Sequence, residues 1–250
     1  MEAFYFAPHQ DDELTNLGVP LCRTLSGGGS AHVVLCTDGG ASGVKRMLLN
    51  GGNCAWHPGA HCFTLDGPSF TAARDREFIE SCRALGVPEK NIVISPLRGP
   101  DGGLTTETAV NVMRDAMKDV PPEDRAVIAL APMPERRQNP DHTAAGNAAN
   151  ILFDTGECAF LTLVWEFILL PPERERTDLG QIVPTPEEYE RIKKAAAAYR
   201  RWTPAEGRYA VGYHSVADEF DAFLRAPVCV IAPAERSVTS VPAAGADAPE

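Results

Sequence analysis

With 250 residues, 44% apolar and 23% charged, the chain has the composition of a soluble globular protein and enough length for one α/β domain. A formal net charge of −11 argues against tight binding to nucleic acid or an anionic membrane, and suits a neutral or cationic small substrate or a sugar. Seven cysteines, odd in number and mostly set in apolar runs, read as reduced thiols of a cytoplasmic protein. No apolar stretch has the length of a membrane span, and no basic leader precedes the first apolar run. Homo-oligomerisation is left open.

The first strand-like run, residues 3–8, ends in "HQDDE". Leu14, Leu17, Leu21 and Leu25 follow at helical spacing, and Pro20 predicts a kink or a late helix start. Further strand-like runs cover 31–37, 91–96, 126–132 and 161–169, each apolar on successive positions, as strands buried on both faces are. Helical patterns cover 69–86, with Gly86 as the stop, then 106–119, 141–153 and about 186–201. Strands alternating with helices predict an α/β, Rossmann-like three-layer sandwich with a mostly parallel sheet. One domain over 1–240 is expected, with a disordered tail over 241–250. The Gly-rich connection 38–68 is too long for a plain link and reads as a lid or wall.

In open α/β sheets, ligands collect at the carboxyl ends of strands, which is where His9, Asp11, Asp12 and Glu13 fall. Helix capping explains an acid here, but it does not call for an imidazole. A second cluster, "RRQNPDHTAAG" over 136–146, follows the fourth strand-like run and brings Asp141 and His142 to the same edge. Histidine and carboxylate are good zinc ligands, and catalytic zinc takes three protein ligands plus water. His9, one of the two aspartates and His142 make such a set, leaving a carboxylate to activate the water. Ferrous iron suits the same donors.

"APHQDDE" with a later "NPDH" resembles the PIG-L/LmbE-like deacetylases, zinc hydrolases that remove N-acetyl groups from N-acetylglucosamine-type sugars. "VVLCTDGGASG" (33–43), Arg74 with Glu77, and "GPDGGL" (99–104) extend the resemblance over roughly the first 150 residues. The resemblance implies His9, Asp12 and His142 as zinc ligands and Asp11 as general base. Asp141 and Asn139 join Asp11 as catalytic candidates, Asn139 standing where the family has an oxyanion-stabilising histidine. Gln10 replaces the family's proline. Arg74, Asp101 and a loosely similar "GYHS" element with His214 are expected at the substrate. Cys54, His57, His61 and Cys62 have metal-binding side chains, but Trp56 with His57 reads better as a sugar-stacking wall.

The expected activity is zinc-dependent deacetylation of an N-acetylated amino sugar or its conjugate, with that small molecule as the partner. The alternatives are a hydrolase of another N-acyl substrate at the same site, or a sugar- or nucleotide-binding protein whose site has degenerated.

Overall fold

Strand β1 (Glu2–Ala7) sends Ala3, Tyr5 and Ala7 into one core and Phe4 and Phe6 into another. That division follows from the two-residue period of a strand, and it is why an unbroken apolar run is needed here. The computed structural model describes residues 1–49, 52–54, 56, 57, 60, 61, 65–171, 175 and 180–232. The tail expected over 241–250, parts of the 38–68 connection and Cys62 lie outside the described residues.

After β1 come helices α1 (Asp12–Thr15) and α2 (Gly18–Ser26). Pro20 sits in the first turn of α2, where its missing N–H costs nothing, so the leucine-spaced segment starts its main helix late, as expected. Strand β2 (Ser30–Thr37) leads into the long connection. This is not structureless: it carries α3 (Val44–Leu49) and a two-stranded hairpin of β3 (Gly52–Asn53) and β4 (Ala60–His61). Val44 and Leu48 pack with Leu65, Phe70, Ala73 and Val211 in a small core of their own.

Helix α4 (Gly67–Leu85) is capped by Asp66, whose side chain accepts the Ser69 N–H, and it stops at Gly86, held at φ 102°. Strand β5 (Ile92–Gly99), helix α5 (Thr106–Met117), strand β6 (Arg125–Leu130), helix α6 (Pro140–Asp154) and strand β7 (Phe160–Val164) follow. Then come β8 (Gln181–Ile182), α7 (Pro186–Arg200), the short pair β9 (Trp202–Thr203) and β10 (Arg208–Tyr209), α8 (Val211–Arg225) and β11 (Cys229–Ala232).

The main sheet has the order β5-β2-β1-β6-β7-β11-β8. Its first five strands are parallel, and β11 and β8 close one side antiparallel. The chain moves one way from β1 to β2 and the other way to reach β6, so the carboxyl ends of β1 and β6 flank the switch point where such sheets hold ligands. Among the described residues no helix is long and apolar enough to cross a membrane.

Two local features aim the site. Helix α6 lies very close to β6 because residue 146 is glycine: a Cβ there would stand 2.4 Å from the Leu130 carbonyl oxygen. The apolar run 161–169, expected as one strand, ends as a strand at Val164. Asn16 accepts the Phe167 N–H at 2.7 Å, and a single 3₁₀ turn follows over Phe167–Leu169. That capture turns Glu166 toward the carboxyl edge.

Candidate metal centre

The backbone leaves β1 through Pro8 and His9 and then takes an uncommon path: Asp11 has φ 140°, a strained value for a residue with a side chain. Its N–H is held by Glu13 at 3.0 Å, and Glu13 in turn accepts from the Tyr199 hydroxyl at 2.7 Å. Glu13 therefore faces inward as a brace. Burial pushes its carboxyl up to about 8, against the hydrogen bonds from Ser81 and Tyr199.

This turn brings Asp12 back over the strand end. Its Oδ2 accepts the His9 N–H at 2.8 Å, and its Oδ1 accepts from Asn16 at 2.7 Å. His142, in the first turn of α6, approaches from the neighbouring strand end. His9 Nδ1 and His142 Nε2 lie 2.9 Å apart, and Asp12 Oδ2 is 3.4 Å and 3.3 Å from them. Ligand atoms at about 2 Å around one tetrahedral ion stand about 3.3 Å from one another, so these three suit a single small divalent cation.

The outer nitrogens are fixed as a metal ligand requires. His9 Nε2 is 3.0 Å from Asp141, which is wholly buried and also accepts the Gly102 and Leu104 N–H groups at 2.7 and 2.9 Å. Asp101 adds a second carboxylate at 3.3 Å. His142 Nδ1 stands 2.9 Å from Glu166 Oε2, close enough for strong attraction though off the line of a good hydrogen bond. With their N–H groups turned outward, both rings aim a lone pair at Asp12. Three facing electron donors require a cation between them, a metal ion or protons.

The titration behaviour agrees. Burial works against charge on His142, yet Asp12 and Glu166 lift it to about 10. Burial likewise opposes a charged His9, and Asp101, Asp12 and Asp141 raise it well above its ordinary value. Burial alone would raise Asp12, but His142 and His9 hold it well below the usual carboxylate range. Asp11 differs: burial raises it to about 7, with Arg74 the main opposing influence. Two aspartates adjacent in sequence are thus driven apart, one a permanent anion and one a base near neutrality.

The cleft above these groups has a volume of about 260 Å³. Its walls include Asp11, Arg74, Asp101, Asn139, Glu166 and Glu219. The Arg74 guanidinium lies 3.5 Å from both Asp11 and Asp101, and it donates to the Gly39 and Gln10 carbonyls at 2.9 and 3.0 Å.

A family model described as PIG-L, GlcNAc-PI de-N-acetylase, matches residues 4–153, which carry both clusters. The chain belongs to the PIG-L family. No curated protein matches it by sequence. Among solved structures it is similar to N,N'-diacetylchitobiose deacetylase from Pyrococcus horikoshii, at 18% identity and TM-score 0.57 over 90% of this chain and 75% of that one. It is also similar to the A40926 pseudoaglycone deacetylase Dbv21, at 17% and 0.58 over 92% and 96%. The zinc-inhibited form of teicoplanin deacetylase Orf2 gives 16% and 0.57 over 95% and 100%. At these identities the likeness is one of fold, and it supports the three-layer architecture expected from the sequence.

Within this PIG-L fold the expected site residues divide into groups. His9, Asp11, Asp12, Arg74, Asp101, Asn139 and His142 share the cleft. Asp141 lies behind it, bonded to His9 rather than facing the cavity. Asn139 caps α6, its side-chain oxygen accepting the Asp141 N–H at 2.9 Å, so any donation into the cleft falls to its Nδ2. Trp56, His57 and His214 are not in the cleft wall; they gather beside it.

Two acids were not singled out in the sequence. Glu166 is hidden inside an apolar run, where only the early end of β7 would have revealed it. Glu219 lies on α8, one turn beyond Ser215, and both line the cleft. Burial, then the nearby Asp11, Asp12 and Glu166 charges, push Glu219 up to about 8. Glu77 secures that helix: its two carboxyl oxygens accept the Val211 and Gly212 N–H groups at 2.7 and 2.9 Å.

Proposed function

We propose that the protein is a divalent-metal-dependent N-deacetylase that hydrolyses the N-acetyl group of an amino sugar or its conjugate. The observation that carries this reading is the His9, Asp12 and His142 donor set with the Asp11 carboxyl beside it in the same cleft. Family membership and the deacetylases among the similar structures support it.

When bound, zinc or ferrous iron would polarise the amide carbonyl and acidify water. Asp11 is the general base: burial raises its carboxyl toward neutrality, which suits it to take a proton and return it to the leaving amine. Arg74 keeps that carboxyl from rising further. Asn139 Nδ2 donates to the carbonyl oxygen as charge develops there. Asp141 and Glu166 act through the two imidazoles, fixing which nitrogen faces the cation. Asp101 accepts sugar hydroxyls and Glu219 hydrogen-bonds them from the opposite element of the cleft wall.

The test is a panel of N-acetylated amino sugars and conjugates incubated with zinc- or iron-loaded protein, read as released primary amine and acetate. Release that depends on metal and is lost in Asp11→Asn is expected. Amine release only from other N-acyl compounds would replace the acetyl-sugar assignment. Sugar binding with no amine release from any compound would make the protein a binding protein.

A further inference from the structure

Helix α8 begins beside the cleft, and His214 in its first turn faces away from it toward the long connection between β2 and α4. Cys54 Sγ stands 3.3 Å from His214 Nε2 and 3.4 Å from His57 Nδ1, and the two ring nitrogens are 3.1 Å apart. Two residue types that bind zinc well thus present three donor atoms in a near-equilateral triangle. For a tetrahedral zinc ion, Zn–S near 2.3 Å and Zn–N near 2.05 Å put sulfur about 3.6 Å from each nitrogen and the nitrogens about 3.3 Å apart. The observed triangle is within a few tenths of an ångström of that.

The surroundings fix the donors in the state a metal needs. His214 Nδ1 is 2.7 Å from the Ala210 carbonyl oxygen, which can only accept, so the ring proton sits on Nδ1 and Nε2 offers its lone pair. His57 hydrogen-bonds the Arg200 backbone as well. The His57 N–H donates to Cys54 Sγ at 3.2 Å, closing a Cys-x-x-His turn of the kind in which backbone N–H groups stabilise a metal-bound thiolate. Trp202 stacks on His57 at 4.9 Å and 17°, and meets His214 edge-on at 5.5 Å, which holds both rings in place.

We propose that Cys54, His57 and His214 form a second transition-metal site, separate from the one at the strand ends, with zinc as the fitting ion. Three protein ligands leave a tetrahedral ion one position for water. Two ligands come from the long connection and one from α8. Ser215 and Glu219 of that helix line the cleft, and Ser42 of the connection meets Ser215 at 3.1 Å. A metal here therefore pins the connection to a wall of the catalytic cleft.

The probe is cobalt(II) alone, titrated into the metal-stripped 250-residue chain. The strand-end site has only nitrogen and oxygen donors, so a thiolate-to-cobalt charge-transfer band in the near ultraviolet reports Cys54 and not that site. The band is expected in wild type, in His142→Ala and in Cys62→Ser, at one sulfur-bound cobalt per chain. It should vanish in Cys54→Ser. In His214→Ala, cobalt affinity for this site should fall by more than the roughly 10–100-fold that loss of an outer hydrogen-bond partner costs. Cys54→Ser should still take one metal at the strand-end site, which shows that it folds. Absence of the band in wild type, or a band that survives Cys54→Ser, overturns the assignment. The readout is metal binding rather than turnover, so failure of the deacetylase reading would leave it standing.

Discussion

Glu166 offers a sharp test of how the strand-end centre is built, because its carboxylate stands directly behind His142. Its Oε2 stands 2.9 Å from His142 Nδ1, and both side chains are buried. A hydrogen bond to a charged group contributes about 1.5–3 kcal/mol, and charge-assisted bonds are roughly twice as strong as neutral ones. Glu166→Gln keeps an acceptor but loses the charge, so it should weaken metal binding by about 1 kcal/mol, or roughly fivefold to tenfold. Glu166→Ala loses the contact and should approach the upper end of the roughly 10–100-fold range for outer partners of ligand histidines. The same carboxylate helps lift His142 to about 10, so in the variant the metal displaces a more weakly held proton. The loss measured at pH 7 is therefore the smaller value, and it should widen toward pH 10. Zinc affinity by competition with a chromophoric chelator at two pH values, in a Cys54→Ser background so that one site is read, measures this. Affinities within twofold of the parent at both pH values would mean that Glu166 does not support the ligand.

Asp11→Asn should keep its metal and lose roughly 10²–10⁴-fold in kcat, since an amide cannot take the proton; loss of metal on elemental analysis would make Asp11 a ligand instead. Asn139→Asp retains the cap on α6 but has no N–H to give, so it should fold normally and lose up to roughly 10²–10³-fold in kcat; full activity would move the carbonyl's donor elsewhere. Burial raises Glu77 to about 8 in the folded chain from 4.5, so the folded state holds a proton that the unfolded chain releases between those values. Its contribution is complete below about pH 4.5 and is lost as pH rises through about 8, so wild type should lose about 1.4 kcal/mol per pH unit relative to Glu77→Gln across that window. A flat difference in urea unfolding would refute the shift. Gly146→Ala forces a methyl against the Leu130 carbonyl and should cost about 1–3 kcal/mol, lowering the melting temperature and metal affinity together.

The sequence by itself determined the five parallel strands of the main sheet, most of the helices between them and the candidate ligand set. Short unbroken apolar runs between helical patterns favour strands buried on both faces, and in a parallel sheet the residues following neighbouring strands meet at one edge. That His9, Asp12 and His142 meet was legible for that reason, and the motif resemblance is what favoured Asp12 over Asp11 as a candidate ligand. The physical split between those two aspartates was not legible. It arises from the burial of Asp11, which Arg74 on α4 only partly offsets, and from the two imidazoles that surround Asp12, contacts made between distant segments. Glu166 and Glu219 were invisible because a carboxylate within an apolar run, or on an ordinary helix face, carries no local pattern that marks where it points. Trp56, His57 and His214 were expected around a substrate; they gather beside the cleft, where tertiary packing brings His57 and His214 to Cys54, more than 150 residues from His214 in the chain. Local pattern fixes which elements form and which edge they share. Long-range packing alone decides which side chains meet there, because burial, charge and hydrogen-bond geometry belong to the assembled neighbourhood and to no single stretch of sequence.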